Sequence, residues 1–439
     1  EIGVRLVGSE MCIRDSYYSG VAMPKLSQKL ASGPLASLNY SAFRTLWLAS
    51  LISITTFFMV IIARGWLVLQ MTDSTFLVAA IQAVSMIPMM FFSPIAGVIA
   101  DSFERKYILI LGELLNVASL LALAALLVTD QIVLWQVFAL SLVSGLSFSL
   151  MMPARSAMIP NVIPFAQLPS GMALFSTIFS AGQLIGPAIA GILLDQFDLW
   201  ISFLAPSLIL LFSIAIMGLI PKQTTTRQEN LSIRTLSSSL KEGVRYTMDS
   251  PFLVGLMLLG LGCTIFAMPY QSLLPIFAEK VLNIGADGLG FLGAAAGIGA
   301  ILGSFLIAAI NAPESIRRFM QWSGVLLGIW VVLFAVSSVF WVSLILSALL
   351  GLALQMFLTS NFILVQLVIP DTVRGRVIGF RMIIMGLGPI GILLLGVLAE
   401  RLGPQQGLVL MGFLCIVFTV VTLLLMPALR AVPVLQEQK

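Results

Sequence analysis

Apolar runs of about twenty residues constrain this chain more than any other feature. They lie near residues 43–70, 75–99, 107–128, 132–152, 170–194 and 199–220. After a polar stretch they resume near 252–278, 286–310, 317–338, 341–367, 378–400 and 406–427. A helix needs about 20 predominantly apolar residues to cross a bilayer's hydrocarbon core. Inside that core each backbone N–H and C=O must be satisfied within the helix itself. The chain is 59% hydrophobic and only 10% charged over 439 residues, whereas soluble domains are about a quarter charged. A water-soluble fold would expose apolar patches too large for a monomer. The expected fold is therefore an all-α membrane protein with twelve transmembrane helices.

The basic residues give an orientation. With both termini cytoplasmic and alternating spans, 20 of the 23 Lys and Arg fall inside. Only Lys280 and Arg401 fall outside, and only Arg64 falls within a span. An odd number of spans would scramble this asymmetry.

The expected organisation is a tail at 1–41, six spans at 42–220, a cytoplasmic linker at 221–251, six spans at 252–428 and a tail at 429–439. The opening EIGVRLVGSEMCIRDSYYSG reads as a non-native remnant covering residues 1–22, with Met23 as the expected start. It lacks the apolar core of a signal peptide. The linker reads either as a short amphipathic helix, on the spacing of Leu231, Ile233, Leu236, Leu240 and Val244, or as a solvated loop. The halves echo each other. Ile159-Pro160 after span 4 matches Ile369-Pro370 after span 10, and Gly186-Pro187 in span 5 matches Gly388-Pro389 in span 11. Six-plus-six repeats with a site at their interface are a recurrent transporter plan.

With no histidine and three scattered cysteines, the commonest metal ligands and general bases are missing. There is no Gly-x-x-x-x-Gly-Lys-Ser/Thr loop for ATP. The expectation is a protein that is not an enzyme, with no cofactor, no metal and no nucleic-acid partner. Membrane-buried ionisable groups are functional candidates by default. Arg64, late in span 1, binds an anionic substrate, answers a buried acid, or snorkels to the surface. Glu113, in span 3, carries a coupling proton or pairs with the cations of the preceding loop. Neutral groups at mid-span, Gln183, Gln271, Gln355 and Asn361 among them, are candidates for orienting a bulky, amphipathic, weakly charged molecule.

Two motifs add specificity. The loop GVIADSFERKYI places Gly97, Asp101, Arg105 and Lys106 between spans 2 and 3. In span 5, Gly182 and Gly186 share a helical face, so that a neighbouring helix can approach closely, and Pro187 and Gly191 follow. The loop resembles the signature loop of the major facilitator superfamily, and the span-5 pattern resembles the motif of that superfamily's drug antiporters. With RTLWLASLIS, LVLQMTDS, PARSAMIPNVIP and PDTVRGRVIG, the chain is similar to the bacterial enterobactin-exporter and macrolide-efflux branch over about residues 40–430. Ser102 and Glu104 depart from the usual loop. The second copy is eroded to NAPESIRRF, which retains only Arg317 and Arg318.

The resemblance implies two six-helix halves related by a pseudo-two-fold axis, in a bacterial cytoplasmic membrane. It implies export of a drug, macrolide or siderophore by proton antiport, by a monomer. It also implies a lock in which Asp101 meets the start of span 11 when the cytoplasmic side closes. An uptake symporter and a non-transporting sensor or scaffold are the alternatives.

Overall fold

The computed structural model describes residues 36–164, 167–220, 233–310, 312–370 and 373–432. Within them twelve helices are long and apolar enough to cross a membrane, their most apolar stretches having mean hydropathies from 1.7 to 2.9. Spans 1 to 6 are Ser41–Thr72, Thr75–Ser102, Arg105–Val128, Leu134–Val162, Leu168–Gln196 and Ile201–Gly218. A linker helix, Ile233–Met248, follows. Spans 7 to 12 are Pro251–Val281, Gly285–Ala308, Pro313–Val336, Phe340–Val368, Arg374–Leu402 and Pro404–Leu425. The linker joins one end of the bundle, here called the linker end, and the opposite end is the far end.

Tight far-end turns fold the spans into hairpins. Between spans 1 and 2 only Asp73 and Ser74 intervene. Asp73 takes a left-handed backbone (φ 54°), which a short polar side chain tolerates. Ser74 Oγ caps span 2 by accepting from the Leu77 N–H at 3.3 Å, satisfying a donor the helix leaves unpaired. Asp130 and Asn283 are left-handed at the corresponding turns before spans 4 and 8.

The two halves pack alike. In the first, span 1 lies on 5 and 6, span 2 on 4, and span 3 on 4 and 6. In the second, span 7 lies on 11 and 12, span 8 on 10, and span 9 on 10 and 12. The halves meet chiefly where span 5 lies on span 8 and span 2 on span 11, a pair of contacts that the same symmetry exchanges. Lipid is as apolar as leucine, so close backbone packing rather than hydrophobic burial must join these helices. A Cβ on Gly351 of span 10 would collide with the Ala296 carbonyl of span 8, and one on Gly145 of span 4 with the Ser85 carbonyl of span 2.

Two spans are interrupted. Span 7 widens to a π turn at Cys263–Ala267, tightens to a 3-10 stretch at Met268–Leu273 and widens again at Phe277–Val281. Pro269 and Pro275 fall within this stretch and remove backbone donors. Span 11 breaks between Arg374–Met385 and Gly388–Leu402, where Pro389 opens the second segment.

Two expectations need correction. Span 4 continues as helix to Val162, so PARSAMIPNVIP is largely the end of a span and not a loop. Arg64 is also not the only arginine within a span. Arg155 and Arg381 are buried on spans 4 and 11. The continuation is readable afterwards, because Met151, Arg155, Met158 and Ile159 are all buried and recur at helical spacing.

Gly351→Leu is expected to destabilise the second half by about 2–3 kcal/mol or more, as overpacking does. Gly218, with nothing within 4 Å of a built Cβ, is expected to accept alanine within about 0.5 kcal/mol. Thermal unfolding of the purified variants in detergent checks both.

Candidate functional site

Charge inside the bundle is concentrated in a few places. Glu113 of span 3 is 1% exposed. Its Oε1 accepts from Ser53 of span 1 and from Ser213 of span 6, the latter at 3.1 Å. Arg155 Nη2, from span 4 and itself 1% exposed, stands 3.9 Å from the same oxygen. Four helices thus converge on one carboxylate. The pairing is incomplete, because Glu113 Oε2 and Arg155 Nε and Nη2 make no hydrogen bond. Removing one member of a buried pair typically costs about 3–5 kcal/mol.

The alternative pairing of Glu113 with the loop cations is not what forms. Lys106 Nζ donates to the Gly218 and Ile220 carbonyls at 2.7 and 2.5 Å. Arg105 Nη1 donates to the Ala157 carbonyl at 2.8 Å. Lys106 therefore sits at the carbonyl end of span 6, where a cation is favoured by the helix dipole, and its ammonium is already engaged. Sequence reasoning placed Arg155 among the cytoplasmic loop charges and missed it as the partner of Glu113.

Arg64 is 5% exposed and does not snorkel. Its Nη2 donates to Ser144 Oγ of span 4 at 2.6 Å, and its Nε has no partner. In the second half, Arg381 of span 11 is 7% exposed. Its Nε donates to Asn361 Oδ1 of span 10 at 3.2 Å, and its guanidinium carbon lies 5.1 Å from the centre of the Phe362 ring. Asn361 is held in turn, since its Nδ2 donates to the Leu256 carbonyl of span 7 at 2.9 Å. Among the described residues no carboxylate pairs with either arginine.

The other candidates are dispersed. Gln355 Nε2 donates to Thr359 Oγ1 within its own span. Gln183 and Gln271 are half-buried on spans 5 and 7. Gly182 and Gly186 face span 1, where a Cβ on Gly186 would lie 2.7 Å from the Thr55 carbonyl. Pro187 and Gly191 face span 8, where a Cβ on Gly191 would lie 2.7 Å from Gly290 Cα. Gly97 and Asp101 belong to the last turns of span 2, and their side chains lie outside the described ones. The expected tail remnant at 1–22 also lies outside the described residues.

Polar contacts between described residues of the two halves gather at the far end. Lys280 Nζ, at the end of span 7, lies 2.8 Å from Asp73 Oδ1 and donates to the Asp73 carbonyl at 2.7 Å. Glu400, near the end of span 11, accepts from Ser74 Oγ at 3.2 Å and from the Phe76 N–H at 2.9 Å. Its negative charge thus meets the positive N-terminus of span 2. At the linker end, Glu242 of the linker helix pairs with Arg376 of span 11.

Comparison with known proteins adds identity to this geometry. The family model described as a transmembrane secretion effector matches residues 32–437. The chain is 25% identical to the multidrug efflux pump Tap of Mycolicibacterium fortuitum, over 84% of this chain and 92% of that one. It is 22% identical to macrolide efflux protein A of Streptococcus pyogenes, over 86% and 94%. It is 26% identical to the enterobactin exporter EntS of Shigella boydii, over 89% and 93%. A bacterial homologue of the human lysosomal transporter Spinster shares the fold at a TM-score of 0.68 and 12% identity, over 89% of this chain and 98% of that one. The chain belongs to the transmembrane secretion effector family of major facilitator transporters.

Proposed function

We propose that this protein exports a bulky amphipathic organic molecule across the bacterial cytoplasmic membrane, as a monomer, by alternating access coupled to proton antiport. The observation that carries the reading is the gathering of inter-half polar contacts at one end, through Lys280 with Asp73 and Glu400 with Ser74 and Phe76. The linker end is cytoplasmic on the distribution of Lys and Arg. The halves at 42–220 and 252–428 then move as two bodies, here shut toward the outside and able to load from the cytoplasm. Opening outward breaks the far-end contacts and brings Asp101, at the end of span 2, to the start of span 11. The names of the efflux and exporter relatives support the outward direction.

Glu113 is the proton carrier in this scheme. It is a carboxylate shared by spans 1, 3, 4 and 6, with one oxygen unbonded. When it takes a proton, Arg155 loses its counter-charge inside the bundle, and an uncompensated buried charge costs several kcal/mol. Proton occupancy therefore biases how the first half packs, which is what a coupling site must do.

Three outcomes test the scheme in everted membrane vesicles. Glu113→Gln is expected to keep the protein folded and abolish dependence of transport on the pH gradient, leaving at most downhill flux. Lys280→Gln with Glu400→Gln is expected to raise labelling of far-end cysteines by a membrane-impermeant maleimide several-fold. Asp101→Asn is expected to insert normally and to lower export at least tenfold. Normal transport by a well-expressed Asp101→Asn protein sinks the cytoplasmic lock.

A further inference from the structure

Count the charges that lie deep in the bundle. Among the described residues, those about two helical turns or more from the end of their span are Arg64, Glu113, Arg155 and Arg381. Three are cations and one is an anion. Glu113 serves Arg155, which leaves one buried guanidinium in each half, Arg64 in the first and Arg381 in the second, with no carboxylate. Groups of this kind normally pair or line a substrate path. Each is also held in place. Ser144 fixes one nitrogen of Arg64. Asn361, itself anchored on Leu256, fixes Nε of Arg381, and Phe362 lies against the guanidinium. The nitrogens left over on each fork carry no hydrogen bond to a described residue. A fixed planar fork with spare donors matches a carboxylate or a similar planar acid.

We infer that the exported molecule is an organic anion, and that Arg64 and Arg381 are its two charge-recognition residues, one from each half. The inference rests on the export reading and narrows it. Neutral amides do not decide charge, whereas two unpaired guanidinium groups repel a cationic drug and attract an acidic amphipath. Asn361 acts as a positioning residue that orients Arg381. One arginine on each half also ties cargo binding to the approach of the halves, because a molecule with acidic groups at two places bridges them.

The test uses the full chain in energised everted vesicles with three fluorescent probes. Fluorescein is anionic. Rhodamine 123 shares its xanthene scaffold but is cationic. N-phenyl-1-naphthylamine is neutral. The expected result is transport of fluorescein at least tenfold faster than rhodamine 123. Arg64→Gln and Arg381→Gln should each lower the ratio of fluorescein to N-phenyl-1-naphthylamine transport at least fivefold. Arg64→Lys and Arg381→Lys keep the charge and should retain most of that ratio, which separates recognition from a folding defect. Rhodamine 123 moving as fast as fluorescein overturns the inference, as does an unchanged ratio in both glutamine variants. Transport of the neutral probe without fluorescein leaves export standing and removes the anionic cargo. Transport of none of the three removes both.

Discussion

A full charge at the centre of a bilayer costs about 2.5–3.5 kcal/mol even on the most lenient scale, and the rest of this structure is arranged around that cost. The chain holds its deep charges away from lipid and gives each a helix-borne neighbour. Glu113 gathers Ser53, Ser213 and Arg155. Arg64 takes Ser144, and Arg381 takes Asn361. Arg105 and Lys106, nearer the linker end, are used as caps for the carbonyls of spans 4 and 6. What distinguishes the deep groups is that their satisfaction is partial, so protonation or a bound anion changes their energy.

The scaffold that holds them follows from the absence of a hydrophobic driving force between helices in lipid. Backbones must approach closely, and glycines permit it along spans 2 and 4, spans 8 and 10, spans 1 and 5, and spans 5 and 8. The first three seams lie within halves. The last lies between halves, with Gly191 against Gly290, and it is the seam that the proposed outward opening would part. Polar contacts at the far end, Lys280 with Asp73 and Glu400 at the start of span 2, are weak enough to break. Exposed pairs contribute about 0–1 kcal/mol each. The interrupted turns of span 7 place bendable backbone beside the Lys280 contact, whereas the break in span 11 lies near the middle of that span.

Much of this was legible in the sequence, for a physical reason. A segment that crosses lipid must be long, apolar and helical, so twelve runs could be counted directly. Interior chemistry was less legible. Hydropathy ends a span where charge begins, and so Arg155, just past the run at 132–152, was read as a surface charge; Arg381, in the first turn of the run at 378–400, was counted with the cytoplasmic charges beside it. Helices shielded by protein continue past that point. The signal was present as periodicity: Met151, Arg155 and Met158 on span 4, and Val377, Arg381 and Ile384 on span 11, are buried at helical spacing. Arg64 and Glu113 were found because apolar residues flank them on both sides. Their partners Ser144, Ser53 and Ser213 could not be found that way, since a serine in a span carries no distinctive pattern.

The most direct test of the two-state account is a pair of distances. Spin labels at positions 130 and 338 report the far end, and labels at 107 and 318 report the linker end, each pair spanning the two halves. A short far-end distance and a long linker-end distance are expected in the resting protein. An acidic cargo in the presence of a pH gradient should lengthen the first and shorten the second within the same sample. Two distances that stay fixed under every combination of cargo and pH gradient contradict it.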